Sequence, residues 1–191
     1  MSTAEFWKGE FGDHYVKRNR VDWRRRIAFW RDVIEMTGAR SVFEVGANAG
    51  WNLSAIQRVD PDVMLHGVEI NPKAEARAAL CGLSLHRLDG VQALRLYPEM
   101  MELVFTVGVL IHVAPEDLPS MMQGIVDASA GYVLAVEYAA DKEEEVEYRG
   151  YSGKLWRRPF GKLYQDMGLK LVKEWPAGEG FDNCTAWLLE K

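Results

Sequence analysis

The chain has 191 residues, 48% hydrophobic and 27% charged, with a net charge of −5; this fits one domain with a layered core and excludes nucleic-acid binding driven by overall charge. No apolar run reaches the roughly 20 residues that span a bilayer, and the start has neither the basic residues nor the apolar core of a secretory signal. Two distant cysteines, Cys81 and Cys184, and the scattered His14, His66, His86 and His112 predict a cytoplasmic protein with no disulfide framework and no metal site.

After an aromatic lead-in, Asp22 reads as the cap of a helix over 23–37. Trp23, Ile27, Trp30 and Ile34 form one apolar stripe, and Gly38 stops it. Residues 41–45 are a short β-branched run leading into glycines, which predicts a buried strand. A helix over 52–59 follows, then a strand over 64–70 and an alanine-rich helix from Asn71-Pro72 to Leu80. Residues 84–88 predict a third strand, 103–107 a fourth, 115–129 a helix and 132–136 a fifth strand. Buried strands alternating with helices predict a parallel sheet covered on both faces. After a helix over 160–167, strands over 169–175 and 183–190 are joined by a Pro/Gly-rich turn too short for a crossover, so that pair must be antiparallel. The expected fold is therefore α/β: a Rossmann-like seven-stranded sheet, five parallel strands closed by an antiparallel hairpin.

The segment Val42-Phe43-Glu44-Val45-Gly46-Ala47-Asn48-Ala49-Gly50-Trp51 carries the chemistry. A glycine turn between a first strand and a helix lets backbone approach a ligand at the topological switch point. Its Gly-x-x-x-Gly spacing is not the dinucleotide fingerprint G-x-G-x-x-G, which counts against a nicotinamide-dependent oxidoreductase. Glu44 precedes the first glycine by two residues. A carboxylate there repels a pyrophosphate and favours the amino group of a methionine moiety. The arrangement resembles motif I of class I S-adenosylmethionine (SAM)-dependent methyltransferases, with Asn48 standing where a middle glycine is usual; asparagine tolerates left-handed backbone. Glu69, at the end of the second strand, is placed to take both ribose hydroxyls. Asp89-Gly90, after the third strand, suits the adenine amino group, and Ile70 suits the adenine face. Val107 ends the fourth strand beneath the methionine part.

A closer resemblance rests on the stretches 6–19, 148–158 and 181–191, which are similar to methylases associated with pseudaminic acid biosynthesis. It implies a lid over the cofactor formed by residues 11–19, within an N-terminal lid and helix over 1–37 that precedes a Rossmann-like core over 38–191 in one domain, with Tyr15 and Arg18 facing the cofactor, Arg18 toward the methionine carboxylate. His112, after the fourth strand, is the candidate general base, or else the holder of a backbone carbonyl. Glu137 and Tyr138, ending the fifth strand, are candidates for positioning the acceptor, with His14 as a further lid candidate. Glu137 reads equally as a structural acid. Basic residues cluster over 17–31 and 148–162. Arg149 and Lys154 there predict a small anionic acceptor of sugar or nucleotide-sugar type. The alternatives are a nucleic acid, a phage or secondary metabolite as acceptor, or a non-catalytic SAM-binding interaction protein. No membrane partner is expected.

Overall fold

The computed structural model describes residues 2–191. Helix α1 (Thr3–Lys8) opens on a capping box between Ser2 and Glu5, and Gly9 separates it from α2 (Glu10–Arg18). Asp22 does cap the next segment, its carboxylate accepting from the Arg24 N–H. The first turn, Trp23–Arg26, is 3-10, and only Ile27–Thr37 is α-helical (α3), stopped by Gly38 at φ +63°. That tightened turn brings Arg26 to a buried position among exposed arginines.

The alternating units follow as β1 (Ser41–Val45), α4 (Trp51–Val59), β2 (Met64–Val68), α5 (Pro72–Ala79), α6 (Gly90–Leu94), β3 (Met101–Val107), α7 (Leu118–Ala128) and β4 (Ser129–Glu137). A two-residue ribbon, β5 (Glu144–Glu145) and β6 (Trp156–Arg157), leads to α8 (Phe160–Asp166), β7 (Lys170–Pro176) and β8 (Thr185–Glu190). The main sheet has six strands in the order β2-β1-β3-β4-β8-β7. Strands β1 to β4 are mutually parallel, and β8 inserts antiparallel between β4 and β7.

This corrects the expected seven strands with five parallel. The third expected strand, 84–88, contributes one parallel bridge, Val68 to His86. Two backbone bonds hold it: the His86 N–H donates to the Gly67 carbonyl and the Glu69 N–H to the His86 carbonyl. The segment lies at the sheet edge with a neighbour on one side only, and only Leu83 and Leu85 are buried while Ser84, His86 and Arg87 face solvent. Too little apolar surface is covered there to order a longer ladder. The C-terminal pair is antiparallel as the short turn requires.

Side chains alternate across the sheet. Val42 and Phe105 join Trp30, Leu53 and Ile56 on one face, whereas Phe43 and Val104 meet Ile125 and Phe160 on the other. The two short N-terminal helices lie over the end of the sheet where β1 and β2 finish. The Asn71 amide donates to the Trp7 carbonyl and to Asp13, Arg77 donates to the Val16 carbonyl at 2.8 Å, and Lys73 pairs with Asp13. On the other side, Phe6 packs on Tyr151 and Trp7 on His112. No helix among the described residues is long and apolar enough to cross a membrane.

Helix α8 packs tightly on the sheet at Gly161, where a Cβ would lie 2.3 Å from Cδ1 of the buried Trp187 ring. Gly161→Ala is expected to destabilise the protein by about 1–3 kcal/mol through overpacking, partly offset by alanine's better helix propensity. Thermal melts check this at about 2–4 °C per kcal/mol; an unchanged melting temperature would mean that the indole yields.

Candidate active site

The loop after β1 is built from left-handed residues: Gly46 at φ +70°, Asn48 at +50° and Gly50 at +74°. Asn48 adopts the conformation that the missing glycine would have supplied. At Gly46 a Cβ would approach Val109 Cγ2 to 2.6 Å, so the loop can lie against the segment after β3 only with glycine there. At Gly50, which opens α4, a Cβ would come within 2.3 Å of Leu83 Cδ1.

Glu69 joins this loop to the start of α5. Its Oε2 accepts from the Asn48 N–H and its Oε1 from the Asn71 N–H, each at 2.7 Å, and only 8% of the residue is exposed. Burial raises its pKa, against the pull of these N–H groups. Each carboxylate oxygen retains acceptor capacity for a further donor. Glu44, 1% exposed, accepts from Asn52 Nδ2 at 2.6 Å through Oε1, while its Oε2 is buried without a partner. Burial pushes its pKa up to about 8. The Asn52 Oδ1 accepts from Arg26 at 2.8 Å and from the Trp30 indole at 3.2 Å.

A cavity of about 480 Å³ opens between the strand ends and the N-terminal helices, within the range of small-molecule sites. Glu44, Gly46, Asn48, Glu69, Ile70, Asp89, Gly90 and Val107 line it, as do Tyr15 and Trp7 from the lid side and His112. Asp89 also caps α6, accepting from the Val91 N–H. Burial drives the Tyr15 phenol above its ordinary value.

His112 lies on a 3-10 turn (Leu110–His112) beside Trp7 and Tyr148, with ring centroids at 4.6 and 4.9 Å. Its Nδ1 lies 2.6 Å from the Lys154 carbonyl. A carbonyl accepts only, so Nδ1 carries the proton and Nε2 is the acceptor nitrogen of the neutral ring. Burial pushes its pKa down to about 4. Of the two roles expected for His112, the structure shows the holder of a backbone carbonyl, and it places the ring on the border of the cavity.

Seven expected site residues do not line the cavity. Gly50 acts through packing. Arg18 is exposed and stacks over Phe11 and Tyr15 at 4.8 and 5.2 Å, so the buried arginine of the wall is Arg26 instead. His14 lies on the exposed side of α2, 4.0 Å from Glu10. Glu137 is a structural acid: it accepts the N–H groups of Val109, Leu110 and Ile111, fixing the turn that carries His112. Burial pushes Glu137 up to about 7, and burial with the charge of Asp182 pushes Tyr138 up to about 12. Arg149 is exposed on the turn between Tyr148 and Tyr151, and Lys154 rests over the Phe6 ring. Arg26 and Asn52 were not singled out by sequence reasoning. Arg26 precedes Trp30 by four residues, on its stripe, and that spacing was the available signal.

No protein-family model matches the chain, and no curated protein does. Solved structures do resemble it. Magnesium protoporphyrin IX methyltransferase from Synechocystis PCC 6803, with bound SAH, superposes with a TM-score of 0.74 at 12% identity, over 98% of this chain and 97% of that one. The 1,6-didemethyltoxoflavin-N1-methyltransferase of Burkholderia thailandensis gives 0.71 at 11% identity, over 99% and 86%. The N-terminal domain of EvdMO1, in the presence of SAH and D-fucose, gives 0.63 at 16% identity, over 88% and 83%. The chain has the Rossmann-like methyltransferase fold.

The buried Glu44 carboxyl makes stability depend on pH. Folding raises its pKa from the ordinary 4.5 to about 8. Its contribution is full below 4.5, is lost as pH rises toward 8, and is level above that. Glu44→Gln removes the ionisation and keeps an oxygen for Asn52. Melting curves should show the wild type losing stability relative to the variant between pH 4.5 and about 8. Parallel curves would place the Glu44 ionisation elsewhere.

Proposed function

We propose that this chain is a SAM-dependent methyltransferase of the cytoplasm acting on a small acceptor of sugar or nucleotide-sugar type. The observation that carries the reading is the pair of buried carboxylates at the ends of β1 and β2. Glu69, held by two N–H groups, has capacity left for two ribose hydroxyls, and Glu44 has an oxygen with no donor on the cavity wall. These residues fit the cofactor: Glu44 the methionine amino group, Glu69 the ribose, Asp89 the adenine amino group and Ile70 its ring face. The fold shared with SAH-bound methyltransferases supports the same assignment.

Bound SAM supplies a sulfonium methyl group, already activated for in-line displacement. The chain's contribution is then alignment and exclusion of water. Helices α1 and α2 cover the cavity with Trp7 and Tyr15, and His112 offers Nε2 for the proton of an acceptor hydroxyl. His112 stays neutral well below pH 7, since burial holds its pKa near 4, so the acceptor form is the one present under working conditions.

A sugar-type acceptor draws support from the resemblance to pseudaminic acid-associated methylases and from the structural neighbour crystallised with D-fucose. Acids on the wall, Glu44, Glu69, Asp89 and Asp117, outnumber Arg26 and Arg95, which disfavours a nucleic acid inside it. An uncharged ring therefore suits the interior, with any anionic part outside beside Arg149 and Lys154. The two unpaired cysteines support a reducing compartment.

Calorimetry tests the cofactor. SAM and SAH should bind and NAD should not; NAD binding without SAM heat would overturn the reading. Glu69→Ala should weaken SAM by about 1.5–3 kcal/mol, the range for charge-assisted hydrogen bonds, with far-UV dichroism confirming the fold.

A further inference from the structure

Strands β3, β4 and β8 are neighbours in the sheet, with β8 antiparallel to β4. The turn of His112 after β3, Tyr138 after β4 and Asp182 before β8 therefore stand at one end, the end that the lid covers. Glu137 pairs with Thr185, which sets Tyr138 beside the start of β8. Tyr15 and Tyr148 flank the Trp7 indole at ring-centre distances of 5.2 and 6.3 Å, and Tyr148 also packs on His112 at 4.9 Å. The turn of Asp182 is tied to the cavity wall by Arg26, whose Nε donates to the Gly180 carbonyl at 2.9 Å. Charges show the same convergence. After the larger effect of burial, those of Tyr148, Arg26, Asp182 and Tyr138 act on the Tyr15 phenol, and that of Asp182 acts on Tyr138.

These four groups have no polar partner in the chain. Among the described residues nothing hydrogen-bonds to the hydroxyls of Tyr15, Tyr138 and Tyr148 or to the Asp182 carboxylate, and no cation comes within ion-pair distance of Asp182. The three phenol oxygens are not sealed in, unlike that of Tyr164, so each reaches accessible space. Asp182 is left-handed at φ +50°, between the hydrogen bonds from the Phe181 N–H to the Gly178 carbonyl and from the Cys184 N–H to the Phe181 carbonyl, at 3.3 and 3.1 Å. Such a backbone persists where its surroundings fix it, so the carboxylate projects from a fixed turn.

A phenol both gives and takes a hydrogen bond, whereas a carboxylate only accepts. A ligand that completes all four groups must bring donors for Asp182 and hydroxyl-like groups for the tyrosines. An anionic group would be repelled by Asp182, and an apolar one would leave the four unpaired. We propose that Tyr15, Tyr138, Tyr148 and Asp182 form the acceptor subsite, and that it takes a neutral polyhydroxyl ring, with Asp182 accepting from an adjacent pair of hydroxyls. This rests on the methyltransferase reading and deepens it: the acceptor lies between the lid and the turn before β8, with a further hydroxyl free for His112.

The test is ligand-observed NMR on the full chain loaded with SAH. The probes are D-fucose, D-glucose and tetrahydropyran, which has the ring without the hydroxyls. Both sugars should bind with dissociation constants on the order of 1 mM, and tetrahydropyran should not. Asp182→Asn, which tolerates the left-handed backbone, should weaken the sugars by about 10-fold, and Tyr138→Phe by about 3- to 10-fold. Calorimetry should show SAH affinity unchanged in both variants, which also reports that they are folded. Sugar binding that neither variant alters, tetrahydropyran binding as the sugars do, no sugar binding to the SAH-loaded wild type, or SAH lost along with the sugars in the variants would each overturn the subsite and leave the methyltransferase reading intact. A wild type that does not bind SAH would instead remove the reading itself, and the subsite with it.

Discussion

The Glu69 carboxylate, held between the N–H of Asn48 and the N–H of Asn71, connects the glycine loop to the end of β2. Loops that leave parallel strands expose N–H groups that the sheet no longer pairs, and those N–H groups need acceptors once buried. A carboxylate offers two oxygens in one side chain, so it can fix two loops at once. It also pays a desolvation penalty that raises its pKa, which is the direction seen for Glu69. The left-handed residues of the loop have their shape imposed by this acceptor as much as by their own conformational freedom.

The same solution recurs at the end of β4. Glu137 takes three N–H groups of the turn after β3, while the fully buried Arg158 donates to the Leu110 carbonyl of that turn at 2.9 Å. Both polarities of one short turn are thus satisfied by side chains, and His112 at its end is held where Trp7 can pack against it. Burial works the same way on each titrating group. It pushes Glu44 to about 8, Glu137 to about 7 and His112 to about 4, in every case favouring the neutral form. Charges brought in by a ligand then act in a dry environment, where an ion pair is far stronger than in water.

What the sequence disclosed depended on the range of the interactions involved. Glu44, Gly46, Asn48 and Glu69 were legible because each stands at a fixed short distance from a strand end, and strand ends are marked by β-branched runs and glycines; Asp89 was legible through the glycine after it, where it caps α6. The edge segment over 84–88 looked like its neighbours, but strand formation there depended on having a second partner, which local pattern does not record. Among Arg18, Arg24, Arg25 and Arg26, only the four-residue spacing of Arg26 to Trp30 marked the inward guanidinium; the Gly180 carbonyl and the Asn52 amide that hold it are distant in sequence, which local pattern does not record. Glu137 was placed correctly at the end of its strand. Its role was set by a turn far away in sequence, Val109 to Ile111, so structural acid and acceptor-binding acid remained equal readings.

The lid depends on this same framework. Helices of six and nine residues do not persist on their own in water, so α1 and α2 are ordered by docking. Asn71 is central to that docking. Its N–H donates to Glu69, its Oδ1 caps α5 by accepting from Lys73 and Ala74, and its Nδ2 donates to the Trp7 carbonyl and to Asp13. One residue, through its backbone N–H and its side chain, therefore ties Glu69, the start of α5 and the N-terminal helices into a single arrangement. The opposite flank of the lid is held by aromatic contacts of Phe6 and Trp7 with Tyr151, Tyr148 and His112, which lack the directionality of hydrogen bonds. The N-terminal helices are thus fixed by directional bonds beside Glu69 and by apolar packing beside His112, which makes the second flank the more adaptable of the two. On the proposed reading the first flank covers the constant cofactor and the second the acceptor that must enter and leave.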